Sequence, residues 1–149
     1  MMKRLMTMAG VVMVLAAGVS AQMAQMAPAK PDAMMMKNEF TPFTKEAHAK
    51  AMADGKTTLV FFHAPWCPVC RAQEPKVLAQ LNGAAKDVVA FKVDYDSNEA
   101  LRKEMNVTKQ STLILYSGMK ETARLSYKSD DASIAEFMSH ATMKMSGGR

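Results

Sequence analysis

Blocks of polar and apolar residues with different periods divide the chain into elements. Thr57-Thr58-Leu59-Val60-Phe61-Phe62 is β-branched, aliphatic and aromatic without a break, and predicts a buried strand running to His63. Residues 71–81 set Val77, Leu78 and Leu81 among charged and amide side chains, which predicts a helix. Upstream, Thr44 suits the N-cap of a helix over 45–53, and Gly55 suits its C′ position. His48 lies on that helix among alanines and lysines and is expected at the surface. Downstream, Asn82-Gly83 and Asp87 signal turns before a strand over 88–94. Ser97 or Asn98 can cap a short helix to about Met105, with Glu99 in its first turn. A strand over 112–116 turns through 117–120 into an antiparallel partner over 121–127. Ser129, Asp130 and Asp131 open a last helix to about Lys144, whose Ile134, Phe137, Met138 and Ala141 recur at helical spacing. The tail from Ser146 is expected to be loose. Alternation first and a hairpin later predicts an α/β fold, a central mixed β-sheet flanked by helices on both faces.

The front of the chain reads differently. Its 149 residues suit one domain. Lys3 and Arg4 precede an uncharged, mostly apolar run over 5–19, and Val19-Ser20-Ala21 ends it with small residues. This predicts a signal peptide over 1–21, a mature start at Gln22, and a periplasmic or secreted protein. An uncleaved membrane anchor is the alternative, but the run is short for a span of about 20 residues. Residues 22–38 hold Pro28, Pro31, Met23, Met26, Met34, Met35 and Met36, without aromatics, and read as a flexible linker. Thioethers suit Cu(I), so copper handling by this segment is one reading and a plain tether the other. Residues 39–149 form the folded domain.

Charge narrows the partners. The whole chain is +5, with 19 basic and 14 acidic residues. Losing Lys3 and Arg4 with the leader leaves 17 basic residues and a net +3. No basic run is interleaved with aromatics, so nucleic acid is not an expected partner.

The chemistry rests on Cys67 and Cys70, the only cysteines. They lie where the central strand gives way to a helix. A helix N-terminus offers unpaired N–H groups and the positive end of a dipole, which favour an anion. Free cysteine has a pKa of about 8.5, and such positions lower it to roughly 3.5–7.5. Cys70, three residues on, lies one turn away on the same face. Its sulfur can attack a mixed disulfide formed on Cys67, so the spacing points to reversible dithiol–disulfide exchange. A permanent disulfide and a zinc half-site are the alternatives. Zinc usually takes four ligands, which two cysteines cannot supply, so no resident metal is expected.

With Trp66 before the first cysteine, the C-x-x-C itself, basic Arg71 and helix residue Pro75, the stretch resembles the active site of the thioredoxin superfamily. The resemblance covers about residues 40–144. It implies a thioredoxin-like fold, with Cys67 as the nucleophile and the more exposed thiol, and Cys70 as the resolving thiol. It implies that Pro68 and Val69 tune the redox potential where the reducing thioredoxins carry Gly-Pro, and that Trp66 lines the partner groove. Pro68 also suits a first helical turn, where its missing N–H costs nothing. Arg71 would steady the thiolate, and Pro75 would kink its helix.

Two departures stand out. Where the family sets a cis-proline before a threonine, facing the cysteines and docking substrate, this chain has Ser111-Thr112. Without that proline, a metal or iron–sulfur centre bridged between two chains becomes conceivable. Where thioredoxins bury a carboxylate beneath the resolving cysteine, this chain has Phe61, although Lys92 matches the lysine that accompanies it. His63, four residues before Cys67, is a candidate substitute proton acceptor or a strand histidine in a structural hydrogen bond. Glu74, one turn after Cys70, is either a relay or part of a solvated helix face. His140 fits no pattern.

The expected function is therefore that of an exported thiol–disulfide oxidoreductase and a monomer. Its partners would be protein disulfide or dithiol clients and a membrane redox donor or acceptor. It would need no cofactor beyond its own Cys67–Cys70 disulfide, and would touch the membrane only through an uncleaved leader. The alternatives are a copper-handling metallochaperone using the C-x-x-C and the methionines, and a non-catalytic interaction domain, against which the intact cysteine pair argues.

Overall fold

The computed structural model describes residues 38–143. The expected leader, nearly all of the methionine-rich linker and the tail from 144 lie outside the described residues. The elements are β1 (Thr41–Pro42), α1 (Lys45–Ala53), β2 (Thr57–His63), α2 (Pro68–Leu81), β3 (Val89–Asp94), α3 (Glu99–Glu104), β4 (Thr112–Ser117), β5 (Lys120–Ser126) and α4 (Asp131–Met143). They build one five-stranded sheet in the order β1-β3-β2-β4-β5. β1, β3 and β2 run parallel, while β4 is antiparallel to both β2 and β5.

β2 is the centre. Its residues Thr58 to Phe62 are all buried, because β3 and β4 cover both its edges and helices cover both its faces. Leu59 and Phe61 point to one face, with Leu113 and Leu115 of β4, Val77 and Leu81 of α2, and Ile134, Phe137 and Met138 of α4. Val60 and Phe62 point to the other, with Ile114, Val93 and Leu101 of α3. This period-two split is what an uninterrupted apolar strand needs to satisfy both sides.

The expected elements are present with shifted ends, plus one more. β1 is two residues long, too short for any periodicity to register. Its Thr41 and Pro42 pair with Phe91 and Lys92, and Pro42 is tolerated because β1 is an edge strand. α2 begins at Pro68, three residues before the apolar pattern starts, since proline is preorganised for a first turn. Asn38, assigned from sequence to the linker, is tied down instead. Its Nδ2 donates to the Leu81 and Lys86 carbonyls at 2.7 and 2.6 Å.

His48 corrects the sequence reading. It is buried, with Nε2 3.2 Å from Thr58 Oγ1 and the ring edge-on to Phe91 and Tyr116. The polar run around it reads as surface, but the inward side of α1 is taken by His48 and Ala51. Burial disfavours the imidazolium and lowers its pKa below the usual 6.5. The unfolded chain then binds the extra proton first, so this residue's contribution to stability is full above pH 6.5 and shrinks as pH falls below it. Replacing His48 with leucine leaves the Thr58 hydroxyl buried without a partner, and is expected to cost about 1–3 kcal/mol at pH 7. The same change is expected to narrow the stability difference between pH 7 and pH 5. Urea unfolding at the two pH values measures both.

Candidate active site

The strand-to-helix junction builds the site. β2 ends at His63, Ala64 to Trp66 turn the chain, and Cys67 is the N-cap of α2 with extended backbone (φ −82°, ψ 115°). A cap residue ordinarily satisfies a free N–H with a side-chain oxygen. Here a sulfur does so: Cys70 N–H donates to Cys67 Sγ at 3.2 Å. Both cysteines are free thiols, so the geometry is that of the dithiol form.

Cys67 is not the more exposed of the pair, because both side chains are fully shielded. The turn folds its sulfur inward with Ala64 and Cys70, into the apolar cluster under α2. The exposed surface at this junction belongs to Trp66, 58% accessible, whose indole Nε1–H donates to Asp96 at 2.7 Å. That bond lays the ring on the loop after β3 rather than in the core. Pro68 and Arg71 are exposed, and Val69 is half-buried against the cluster. Burial raises the Cys70 thiol to about 11, reinforced by the hydrogen bond with Cys67; the Ala64 backbone and the Ser111 side chain pull the other way.

With no carboxylate at Phe61, Lys92 takes its partner from α2. Phe61 itself is packed in the core, beside Lys92 in the next strand. Lys92 Nζ bonds Glu74 Oε1 at 2.5 Å, and the other carboxylate oxygen lies 3.2 Å from His63 Nε2. Glu74 is thus no solvated helix residue; Lys92 and His63 draw it into the groove between α2 and the sheet. His63 Nε2 is turned to the Glu74 carboxylate. Its pKa is lowered by burial and then by Lys92, against the pull of Glu74 and Asp94.

Ser111 and Thr112 are both buried, so their side chains do not form a docking surface. Ser111 adopts φ +60°, and its N–H donates to the Phe62 carbonyl at 2.9 Å, a bond no proline can make. Its hydroxyl donates to Gln73 Oε1 at 2.7 Å. Thr112 Oγ1 bonds the Lys109 carbonyl and Ser126 Oγ, and is spent on the loop and β5.

Sequence reasoning passed over Gln73 and Asp96. Gln73 is fully buried, and donates from Nε2 to the Lys128 carbonyl at 2.5 Å. The signal was there, since Cys70, Gln73, Val77 and Leu81 follow one helical stripe and a glutamine on it must be buried. Nothing local marks Asp96, 30 residues from Trp66. Among the described residues no cluster of three or more His, Cys, Asp or Glu side chains is arranged to hold a metal, and no helix is long and apolar enough to cross a membrane.

The chain is 36% identical over 67 residues to thioredoxin Asp f 28 of Aspergillus fumigatus, 45% of this chain and 61% of that one. It is 38% identical over 96 residues to the protein disulfide-isomerase erp38 of Neurospora crassa, 61% of this chain but 26% of that one. The matched stretch is thus less than two thirds of either relative's length. The crystal structure of Trxlp from Edwardsiella tarda superposes with a TM-score of 0.63 at 33% identity, over 66% of this chain and 97% of that one. The Thioredoxin family model matches residues 39–140, and the chain belongs to the thioredoxin family.

Proposed function

We propose that the chain is a thiol–disulfide oxidoreductase that exchanges electrons with protein disulfides or dithiols through Cys67 and Cys70. The observation that carries this is the Cys70 N–H donating to Cys67 Sγ at the mouth of α2. A donor and a helix dipole aimed at one sulfur suit a negative charge there, and the thiolate is the attacking species.

In the reducing direction Cys67 thiolate attacks a partner disulfide. A Cys67–partner disulfide forms and one partner thiolate leaves. Cys70, after losing its proton, attacks Cys67 Sγ and expels the second partner sulfur. Two electrons pass to the partner, and the Cys67–Cys70 disulfide is left behind. The oxidising direction reverses these steps. Exposed Trp66, fixed by Asp96, offers an apolar contact beside the buried sulfurs.

The N-terminal pattern supports export. In this reading the protein is periplasmic or secreted and works as a monomer, and a membrane redox carrier restores its oxidation state. Copper handling would use the C-x-x-C together with methionines that lie outside the described residues.

Three outcomes are expected. Wild type accelerates insulin reduction by dithiothreitol, Cys67→Ser falls to the uncatalysed rate, and Cys70→Ser accumulates a mixed disulfide visible on a non-reducing gel. Equal turnover by Cys67→Ser would remove the proposal. Next, a Cys70 thiol raised from 9.0 to about 11 favours the fold while protonated. The reduced protein is therefore expected to lose stability as pH rises from about 9 through 11, with a shallower loss in Cys70→Ala, read by urea midpoints. Finally, export predicts that N-terminal sequencing of the protein from its source begins at Gln22.

A further inference from the structure

Beside the thiol turn, the end of β2, the segment around β1 and the loop after β3 enclose a cavity of about 590 Å³, a size that suits a side chain or a small ligand. Its walls are apolar, from Phe40, Pro42, Phe43 and Pro65. Its polar groups are His63, Lys92, Asp94 and Asn98. Pro65 sets the cavity close to the reactive sulfurs. It stands two residues before Cys67, a separation of at most about 7 Å along the chain. The turn that joins them is closed by Cys67 N–H on the Ala64 carbonyl at 3.1 Å.

The charges around this cavity do not cancel. Lys92 is spent on Glu74, and His63 Nε2 faces the same carboxylate, with burial keeping the imidazole neutral at pH 7. Asp94 is left over. Its Oδ1 accepts from Ser97 N–H at 2.8 Å and from Ser97 Oγ–H at 2.6 Å, which fixes the carboxylate in place. No lysine or arginine pairs with it among the described residues. Asn98 turns its NH₂ to the Asp94 carbonyl and to Ser97 Oγ, at 2.8 and 3.2 Å, so its amide oxygen remains as a second acceptor. The wall already carries one cation on an aromatic face, since Lys92 Nζ lies 5.8 Å from the Phe40 ring centroid. Negative acceptors beside aromatic surface suit a guanidinium, which donates to carboxylates through a planar fork and stacks on rings. A guest carboxylate would meet Asp94 and find Lys92 taken.

We propose that this cavity is a client subsite: it takes an arginine side chain lying a few residues from the client's disulfide cysteine, with Asp94 and Asn98 as acceptors and Phe40 and Phe43 as walls. This rests on the disulfide-exchange reading above and narrows the client class to proteins with basic sequence beside the disulfide. With the guanidinium seated, the client chain runs past Pro65 to Cys67, and the contact holds its disulfide at the attacking sulfur. The exchange itself is unchanged: the Cys67–client bond forms and a client thiolate leaves. The cavity selects which disulfide is attacked. Asp94 touches neither sulfur and acts as a specificity residue.

The test is reduction of disulfide-linked peptide dimers by the reduced full-length protein at pH 7, followed by chromatography of the released thiol peptide. The peptides differ in one residue near the cysteine: arginine, citrulline or glutamate. Citrulline keeps the shape of arginine and removes its charge. Each rate is divided by the rate with dithiothreitol, which removes the effect of that residue on the disulfide itself. The arginine peptide is expected to react about fivefold faster than the citrulline peptide, the effect of one partly exposed ion pair. Asp94→Asn keeps the oxygen that Ser97 bonds, and is expected to abolish that advantage. Asn98→Asp adds a carboxylate and is expected to enlarge it. Equal rates for arginine and citrulline in wild type, a faster glutamate peptide, or an arginine advantage that survives Asp94→Asn would overturn the subsite. Should Asp94→Asn fail to fold, Asn98→Asp decides, and an advantage that does not grow overturns the proposal. Failure of wild type to reduce any of the peptides would instead sink the exchange reading itself.

Discussion

A single hydrogen bond, Cys70 N–H to Cys67 Sγ, joins the fold to the chemistry of this chain. It is at once the cap of α2 and the contact that aims a donor at a sulfur. For the bond to exist, the chain must leave a buried strand and enter a helix within four residues. Phe62 and His63 cannot shift to make room, because β3 and β4 hold β2 on both edges. The rigid centre of the sheet therefore sets the position of the thiols, and the loops that face them adapt.

Around that fixed point the polar groups are used in an unusual distribution. The strand position beneath the thiols is apolar, and the carboxylate that pairs with Lys92 comes from α2 as Glu74. A charge supplied from the same helix as the cysteines moves with them, whereas one rooted in the strand would stay with the sheet. On the other flank, a serine with φ +60° closes the ladder to Phe62. Its hydroxyl is sequestered by a glutamine that is itself held by a third segment.

Most of the architecture was legible in the sequence, for reasons that can be named. Residues 57–63 are unbroken apolar and β-branched, and a strand of that kind needs cover on both faces. Thr44 caps α1 through its hydroxyl, which accepts from Ala47 N–H as its type suggests. The cysteine pair was legible because spacing and junction together specify its chemistry. What escaped notice were polar side chains on helices. His48 and Glu74 sit in runs that look solvated, while Gln73 lies on the buried stripe of α2 but its partners do not show in the sequence. Their burial is decided by Phe91 and Tyr116, by the loop ahead of α4, and by Lys92, all distant in sequence. β1 escaped because two residues have no period.

The loop entering α4 reaches back to the active-site helix through two side chains. Gln73 donates to the Lys128 carbonyl and Lys76 to that of Ser129, while Lys76 also pairs with Asp131. α2 is thereby moored to the C-terminal quarter of the chain by main-chain acceptors, which no substitution of Lys128 or Ser129 can remove. Prising α4 away from the sheet would strip more than apolar cover from the thiol pair. It would cast off the amide that holds the Ser111 hydroxyl, so a force applied to α4 has a mechanical line to the helix that carries the resolving cysteine.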